Sequence, residues 1–179
     1  LKEIPNSSHV IFSAHGVSKA IVKESDKLNL ISIDATCPLV TKVHREVNKL
    51  SNKEYTIIMI GHKGHPEVEG TMGQIEKSSL GSQIYLVENI EDVNKLKVTN
   101  SNKISYVSQT TLSIDDTKKI IDALEDKYPL ITGPKSNDIC YATQNRQEAV
   151  KNMFGQHDLV FIVGSKNSSN SNRLLDMVK

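Results

Sequence analysis

The chain has 179 residues, enough for one ordinary domain or two small ones. Lysine and arginine total 22 against 21 acidic residues, so no broad basic face for nucleic acid is implied, and the absence of Trp argues against base-stacking platforms. No apolar run approaches membrane-spanning length, and two cysteines do not make a secreted disulfide framework, which leaves the reducing cytoplasm as the default compartment.

One rhythm runs along the chain: apolar run, polar turn, helical pattern. His9 to Phe12 is a predicted strand, followed by the turn SAHGVS and a helix over Lys19 to Leu28. Leu30 to Ile33 is the next strand, with TCP as its turn. Leu39, Val40, Val43, Val47 and Leu50 then recur at helical spacing, with Pro38 suited to the first helical position. Tyr55 to Ile60 is continuously apolar, which predicts a strand buried on both faces. The turn GHKGHPE follows it. Gln83 to Val87 is a strand, Ile90 to Leu96 a short helix, and Ile104 to Val107 a strand ending in SQTTLS. Ser113 and Asp116 resemble a capping box for a helix reaching about Tyr128. YPLITGPKSND is the best boundary between units by its Pro, Gly and Ser content. A helix near Gln144 to Phe154, a last strand over Leu159 to Val163 and a final helical pattern ending in RLLDMVK complete the series. The first residue is Leu rather than Met, and the last helix shows no stop signal, so a fragment lacking both ends is expected.

Strands alternating with helices define an α/β fold of repeated strand–turn–helix units with mainly parallel sheets. Ligands in such sheets bind outside the carboxyl ends of the strands. The turns at those ends hold His15, Cys37, His65 with Glu67, Thr110 with Thr111, and Ser168, Ser169 and Asn170. Ordinary turns favour Gly, Asp, Asn and Ser. Imidazoles, a thiol, a carboxylate and hydroxyls recurring across five turns are a functional signal. GHKGHPEVEGT could bind zinc or phosphate, or Glu67 could donate a proton. It could equally be a solvated turn with a glutamate favoured by a helix start. GSKNSSNSNRL resembles a phosphate cradle. Helix capping explains one or two of its hydroxyls and amides, but not the six consecutive Ser/Asn residues from Asn167 to Asn172.

Cys37 and Cys140 both precede helices, where the thiolate is favoured. Thiolate binds metal or attacks electrophiles, and Cys–Pro occurs in iron–sulfur ligation. Two cysteines cannot saturate a cluster or a structural zinc. Taken alone, each thiol reads as a small buried hydrophobe.

FSAHGVS, DATCPLVTKVH, GHKGHPEVEGTMGQ, SQTTLS, DICYATQNRQEAV and VGSKNSSNSNRL, in this order, resemble the LytB family of 4-hydroxy-3-methylbut-2-enyl diphosphate reductases over essentially the whole chain. The resemblance implies a three-domain pseudo-symmetric trefoil around a central [4Fe-4S] cluster, held by one cysteine from each domain. Residues 1–37 would be the C-terminal part of the first α/β domain, 38–136 the second domain and 137–179 the N-terminal part of the third. By the same resemblance Cys37 and Cys140 are two of the three metal ligands. His15, His65, Ser168, Ser169 and Asn170 bind the substrate diphosphate, Thr110 lies by the substrate hydroxyl, and Glu67 delivers a proton.

The implied reaction is reductive removal of an allylic hydroxyl, the final step of the methylerythritol phosphate route to isopentenyl and dimethylallyl diphosphate. A cluster with three thiolates leaves one iron open as a Lewis acid. The expected partners are the small allylic diphosphate and ferredoxin or flavodoxin as electron donor, with no nucleic acid and no membrane. The expected setting is a monomer in the bacterial cytoplasm. Two further readings stay open: a truncated, cluster-free diphosphate-binding domain without catalysis, and a zinc hydrolase using His65, Glu67 and a cysteine.

Overall fold

The computed structural model describes residues 1–75 and 82–179. In chain order the elements are β1 (His9–Phe12), α1 (Lys19–Lys27), β2 (Ile31–Asp34), α2 (Pro38–Asn52), β3 (Thr56–Ile60), α3 (Pro66–Met72), β4 (Gln83–Val87), α4 (Ile90–Lys95), β5 (Ile104–Ser108), α5 (Ile114–Lys127), α6 (Tyr141–Lys151) and α7 (Ser169–Met177). The expected alternation is therefore observed as far as α5. α6 begins three residues earlier than periodicity placed it, directly after Cys140.

β1 and β2 pair in parallel as one small sheet. β3 lies between β4 and β5 in a second, with all pairs parallel. Parallel neighbours need crossover helices, and these cover both faces of β3. Alternate β3 side chains point to opposite faces. Ile58 and Ile60 join Val87, Val93, Ile104 and Leu124 under α4 and α5. Ile57 and Met59 join Val43, Val47, Val68 and Val107 under α2 and α3. All five residues of β3 are buried, as its unbroken apolar run predicts. Each such apolar side chain, fully buried, contributes about 1.5–3 kcal/mol of transfer free energy.

Leu159 to Val163 differs from expectation. The run forms no strand, and Phe161 and Val163 are 80% and 94% exposed. A strand exists through its ladder of backbone hydrogen bonds, and among the described residues none pairs with this segment. Its unbroken apolar run predicts a burial that the described residues do not provide. The capping box is also only half formed. Ser113 Oγ accepts from the Asp116 amide at 3.2 Å, while the Asp116 carboxylate turns to Lys119.

The buried centre of β3 gives a direct test. Ile58→Ala should lower unfolding free energy by about 2–5 kcal/mol through lost burial and the cavity left behind. Urea unfolding should show a reduced midpoint at unchanged slope. A midpoint equal to that of wild type would show that this strand is not the core.

Candidate functional site

The carboxyl ends of β1, β2, β3 and β5 deliver His15, Cys37, His65 with Glu67, and Thr110, while Cys140, Ser168, Ser169 and Asn170 come from segments that follow no strand among the described residues. β3 ends in the turn His62 to His65, and Pro66 occupies the first position of α3. His65 Nδ1 caps that helix by accepting from the Glu67 amide at 3.2 Å. That hydrogen bond assigns the proton of the neutral imidazole to Nε2, so the free nitrogen is a donor. Burial holds the His65 pKa below its ordinary value, with His15 and His62 adding to the effect. The His15 ring stands edge-on to it, with centroids 5.5 Å apart. Ser13 Oγ lies 3.1 Å from His15 Nδ1 and steadies the exposed ring.

The closeness of these two turns depends on glycine. Gly16 has a φ of +74°, a conformation that L side chains rarely adopt. A Cβ on Gly70 would stand 3.0 Å from the Gly16 carbonyl oxygen, so α3 packs against the His15 turn backbone to backbone.

Glu67 is the buried carboxylate of the site, only 2% exposed. Its Oε1 accepts from the Thr110 amide at 2.6 Å, and its Oε2 pairs with Thr110 Oγ1 at 3.0 Å. Burial raises its pKa above the ordinary value of 4.5, and the two bonds from Thr110 pull the other way. A proton on Oε2 reverses the side-chain bond, leaving the Thr110 hydroxyl free to donate onward.

Thr110 also reaches a cysteine: its carbonyl accepts from the Cys140 amide at 2.8 Å. On the other side, the Cys37 amide donates to the Ala14 carbonyl at 3.0 Å, next to His15. A continuous path of contacts therefore joins the segments of Cys37, His15, His65, Glu67, Thr110 and Cys140. The serine-rich turn joins the same path. Ser169 Oγ donates to the Thr111 carbonyl at 3.2 Å, and the Gln109 amide nitrogen lies 3.4 Å from Ser169 Oγ. Ser168 is the N-cap of α7, its Oγ accepting from the Ser171 amide. Asn170 Oδ1 is buried with no hydrogen-bond partner among the described residues.

The two histidines of GHKGHPE part company. His65 faces His15, whereas His62 Nδ1 lies 4.0 Å from Glu88. Among the described residues no three of His, Cys, Asp and Glu converge as a metal cage. Both thiols are free and half-buried at helix N-caps, and neither makes a side-chain capping bond. Two free thiols of this kind are a donor set that fits part of an iron–sulfur cluster.

Residues not singled out by sequence reasoning also act here. Gln109, fully buried, accepts from the His62 amide through Oε1 and donates to Thr111 Oγ1 through Nε2. It lies inside SQTTLS, where a glutamine ending an apolar strand was the available signal. His44 lies under Gly16 with a buried, unpartnered Nε2, and burial lowers its pKa.

Parallel strands whose carboxyl ends gather thiols, imidazoles, a carboxylate and hydroxyls define an α/β protein with a polar ligand site at the sheet edge. The model of the family described as LytB protein matches residues 1–179. This chain belongs to the LytB family. The 4-hydroxy-3-methylbut-2-enyl diphosphate reductases of Acinetobacter baylyi and Pseudomonas aeruginosa are each 58% identical to it over 179 residues, the whole of this chain. The chain spans 56% and 57% of their lengths. The solved E-1-hydroxy-2-methyl-but-2-enyl-4-diphosphate reductase of Plasmodium falciparum superposes with a TM-score of 0.91 at 43% identity, covering 99% of this chain and 54% of that one. A second solved reductase, described as the terminal enzyme of the non-mevalonate pathway, gives 0.71 at 33% identity, covering 98% and 60%.

The raised pKa of Glu67 has a defined sign in stability. The folded state holds the proton more tightly than the unfolded chain. The stabilisation is complete below the ordinary value of 4.5 and is lost as pH rises through the folded value. Wild type should therefore lose stability relative to Glu67→Gln as pH rises from 4.5, in parallel urea titrations. A pH-independent difference would contradict the assigned environment.

Proposed function

We propose that this chain forms part of a reductase that removes the allylic hydroxyl of 4-hydroxy-3-methylbut-2-enyl diphosphate. Isopentenyl and dimethylallyl diphosphate are the products. The observation that carries the reading is the unbroken path of contacts from the Cys37 segment to Cys140 through His15, His65, Glu67 and Thr110. Family membership and the names of the relatives supply the substrate. The separation of the β1–β2 sheet from the β3–β5 sheet supports a boundary near residue 37, and the further division at 136 into part of a third α/β domain rests on the family resemblance. A bacterial cytoplasmic monomer fed by ferredoxin or flavodoxin completes the reading; among the described residues no helix is long and apolar enough to cross a membrane.

The reaction consumes two electrons and two protons, and releases the hydroxyl as water. Cys37 and Cys140, with a third thiolate from outside this chain, would hold a [4Fe-4S] cluster. When bound, that cluster supplies the electrons and a Lewis-acidic iron. The diphosphate is held by charge-assisted hydrogen bonds from His65 Nε2, His15, the Ser168 and Ser169 hydroxyls and the Asn170 amide. The N-terminus of α7 adds its backbone amides and dipole. Glu67, whose protonated form burial favours, passes its proton to Thr110 as the Thr110 hydroxyl gives its own to the departing oxygen. Glu67 is only 2% exposed, which limits loss of that proton to solvent.

The test uses the complete protein, reconstituted anaerobically with iron and sulfide and assayed with a chemically reduced dye. Glu67→Gln should lower kcat about 10²–10⁴-fold. Cys37→Ser and Cys140→Ser should lose the visible absorption of the cluster. Wild type that binds inorganic diphosphate yet takes up no iron would overturn the reductase in favour of a cluster-free binding module. Stoichiometric zinc without iron would favour a hydrolase.

A further inference from the structure

The segment that leads into Cys140 is pinned by one lysine. Lys42 lies in the second turn of α2, the helix that Cys37 caps. Its Nζ donates to the Ser136 carbonyl at 2.8 Å, to the Asn137 carbonyl at 3.4 Å and to Asp138 Oδ1 at 2.9 Å. Asp138 is 2% exposed, and its Oδ2 accepts from the Ser108 amide at the end of β5 at 3.1 Å. Asn137 Oδ1 accepts from the Ile139 amide at 3.0 Å, and the Cys140 amide then reaches the Thr110 carbonyl. The chain from Ser136 to Cys140 is therefore laid across the end of β5 and tied to α2 at one cation.

We infer that the Lys42–Asp138 pair is a clasp that fixes the position of Cys140 relative to Cys37, so that the two thiols can share one cluster. The inference rests on the reading of these thiols as ligands. Lys42 and Asp138 touch neither thiol; they are positioning residues. A paired buried charge contributes little net stability over apolar side chains of similar size, whereas removing one partner strands the other. What the pair adds is geometry. The cation reaches three oxygens on three successive residues, an arrangement that fixes the path of the backbone as well as neutralising Asp138. Without it, the approach to Cys140 loses the three hydrogen bonds that tie it to α2 among the described residues. Residues that orient metal ligands from behind behave in this way.

The experiment uses the complete holoprotein and follows loss of cluster absorption in the presence of an iron chelator. Lys42→Met should speed cluster loss about 10-fold, within the range expected for residues supporting metal ligands. Lys42→Arg, which keeps the cation, should recover most of the retention. Asp138→Asn should resemble Lys42→Met. The urea midpoint of each metal-free variant is measured alongside. Cluster loss that tracks the fall in midpoint across all three variants would overturn the clasp and leave a general stability effect. Wild-type retention in Lys42→Met, or Lys42→Arg losing the cluster as fast as Lys42→Met, would overturn it too. Cys37→Ser and Cys140→Ser separate the two proposals. If these retain the cluster, the ligand assignment fails; if they lose it while Lys42→Met does not, the clasp alone fails.

Discussion

A buried carboxylate facing a buried threonine holds the site together. Glu67 comes from the first turn of α3 and Thr110 from the residue pair that follows β5, so their two hydrogen bonds tie together segments far apart in sequence. The tie is demanding in both directions. A carboxyl group taken out of water is costly unless its oxygens find donors, and the Thr110 amide and hydroxyl are those donors. Thr110 in turn must present its backbone in one orientation, which leaves its carbonyl aimed at the Cys140 amide. One interaction thus sets the helix start that carries His65 and the approach that carries Cys140. Pro66 at the first helical position and the close contact of Gly70 with the Gly16 backbone are what let α3 sit there.

The electrostatics divide the polar groups into two kinds. Glu67 is driven toward its neutral form by burial, against the two hydrogen bonds from Thr110. His65 is driven the same way, and a neutral imidazole still donates through Nε2. The proposed diphosphate would oppose that second shift, because an anion beside the ring favours imidazolium. The His65 ring meets His15 edge-on at 5.5 Å between centroids.

The framework was legible because its signals are local. The apolar run ending at Ile60 and the alternation of strands and helices depend on near neighbours in sequence, and β1 and β4 coincide with their expected spans. The strand-end rule pointed to the turns of His15, Cys37, His65 and Thr110, which follow real strands, whereas the turn of Ser168 to Asn170 follows no strand among the described residues. Two things were hidden. Leu159 to Val163 carries strand chemistry, but pairing is a property of neighbours, and none appears among the described residues. The supporting residues were hidden for another reason. Asp138 and Gln109 look like ordinary polar residues of a loop and a strand end. Only the fold shows that both are buried, each bridging segments that the sequence keeps far apart.

The helix caps show where local stability gives way to function. α1, α4, α5 and α7 close their first turn with the side chain of Ser18, Asn89, Ser113 or Ser168. α3 does so with His65. α2 and α6 begin with Cys37 and Cys140, whose side chains cap nothing. A serine at such a position is worth about 0.5–2 kcal/mol relative to a residue that cannot cap. Both cysteines forgo that gain, and their sulfurs stay free of capping bonds. In the proposed reading those free sulfurs are the cluster ligands. The site breaks a local rule at the two positions where its proposed metal chemistry needs an unpaired sulfur, while Lys42 and Asp138 restore order to the segment behind one of them.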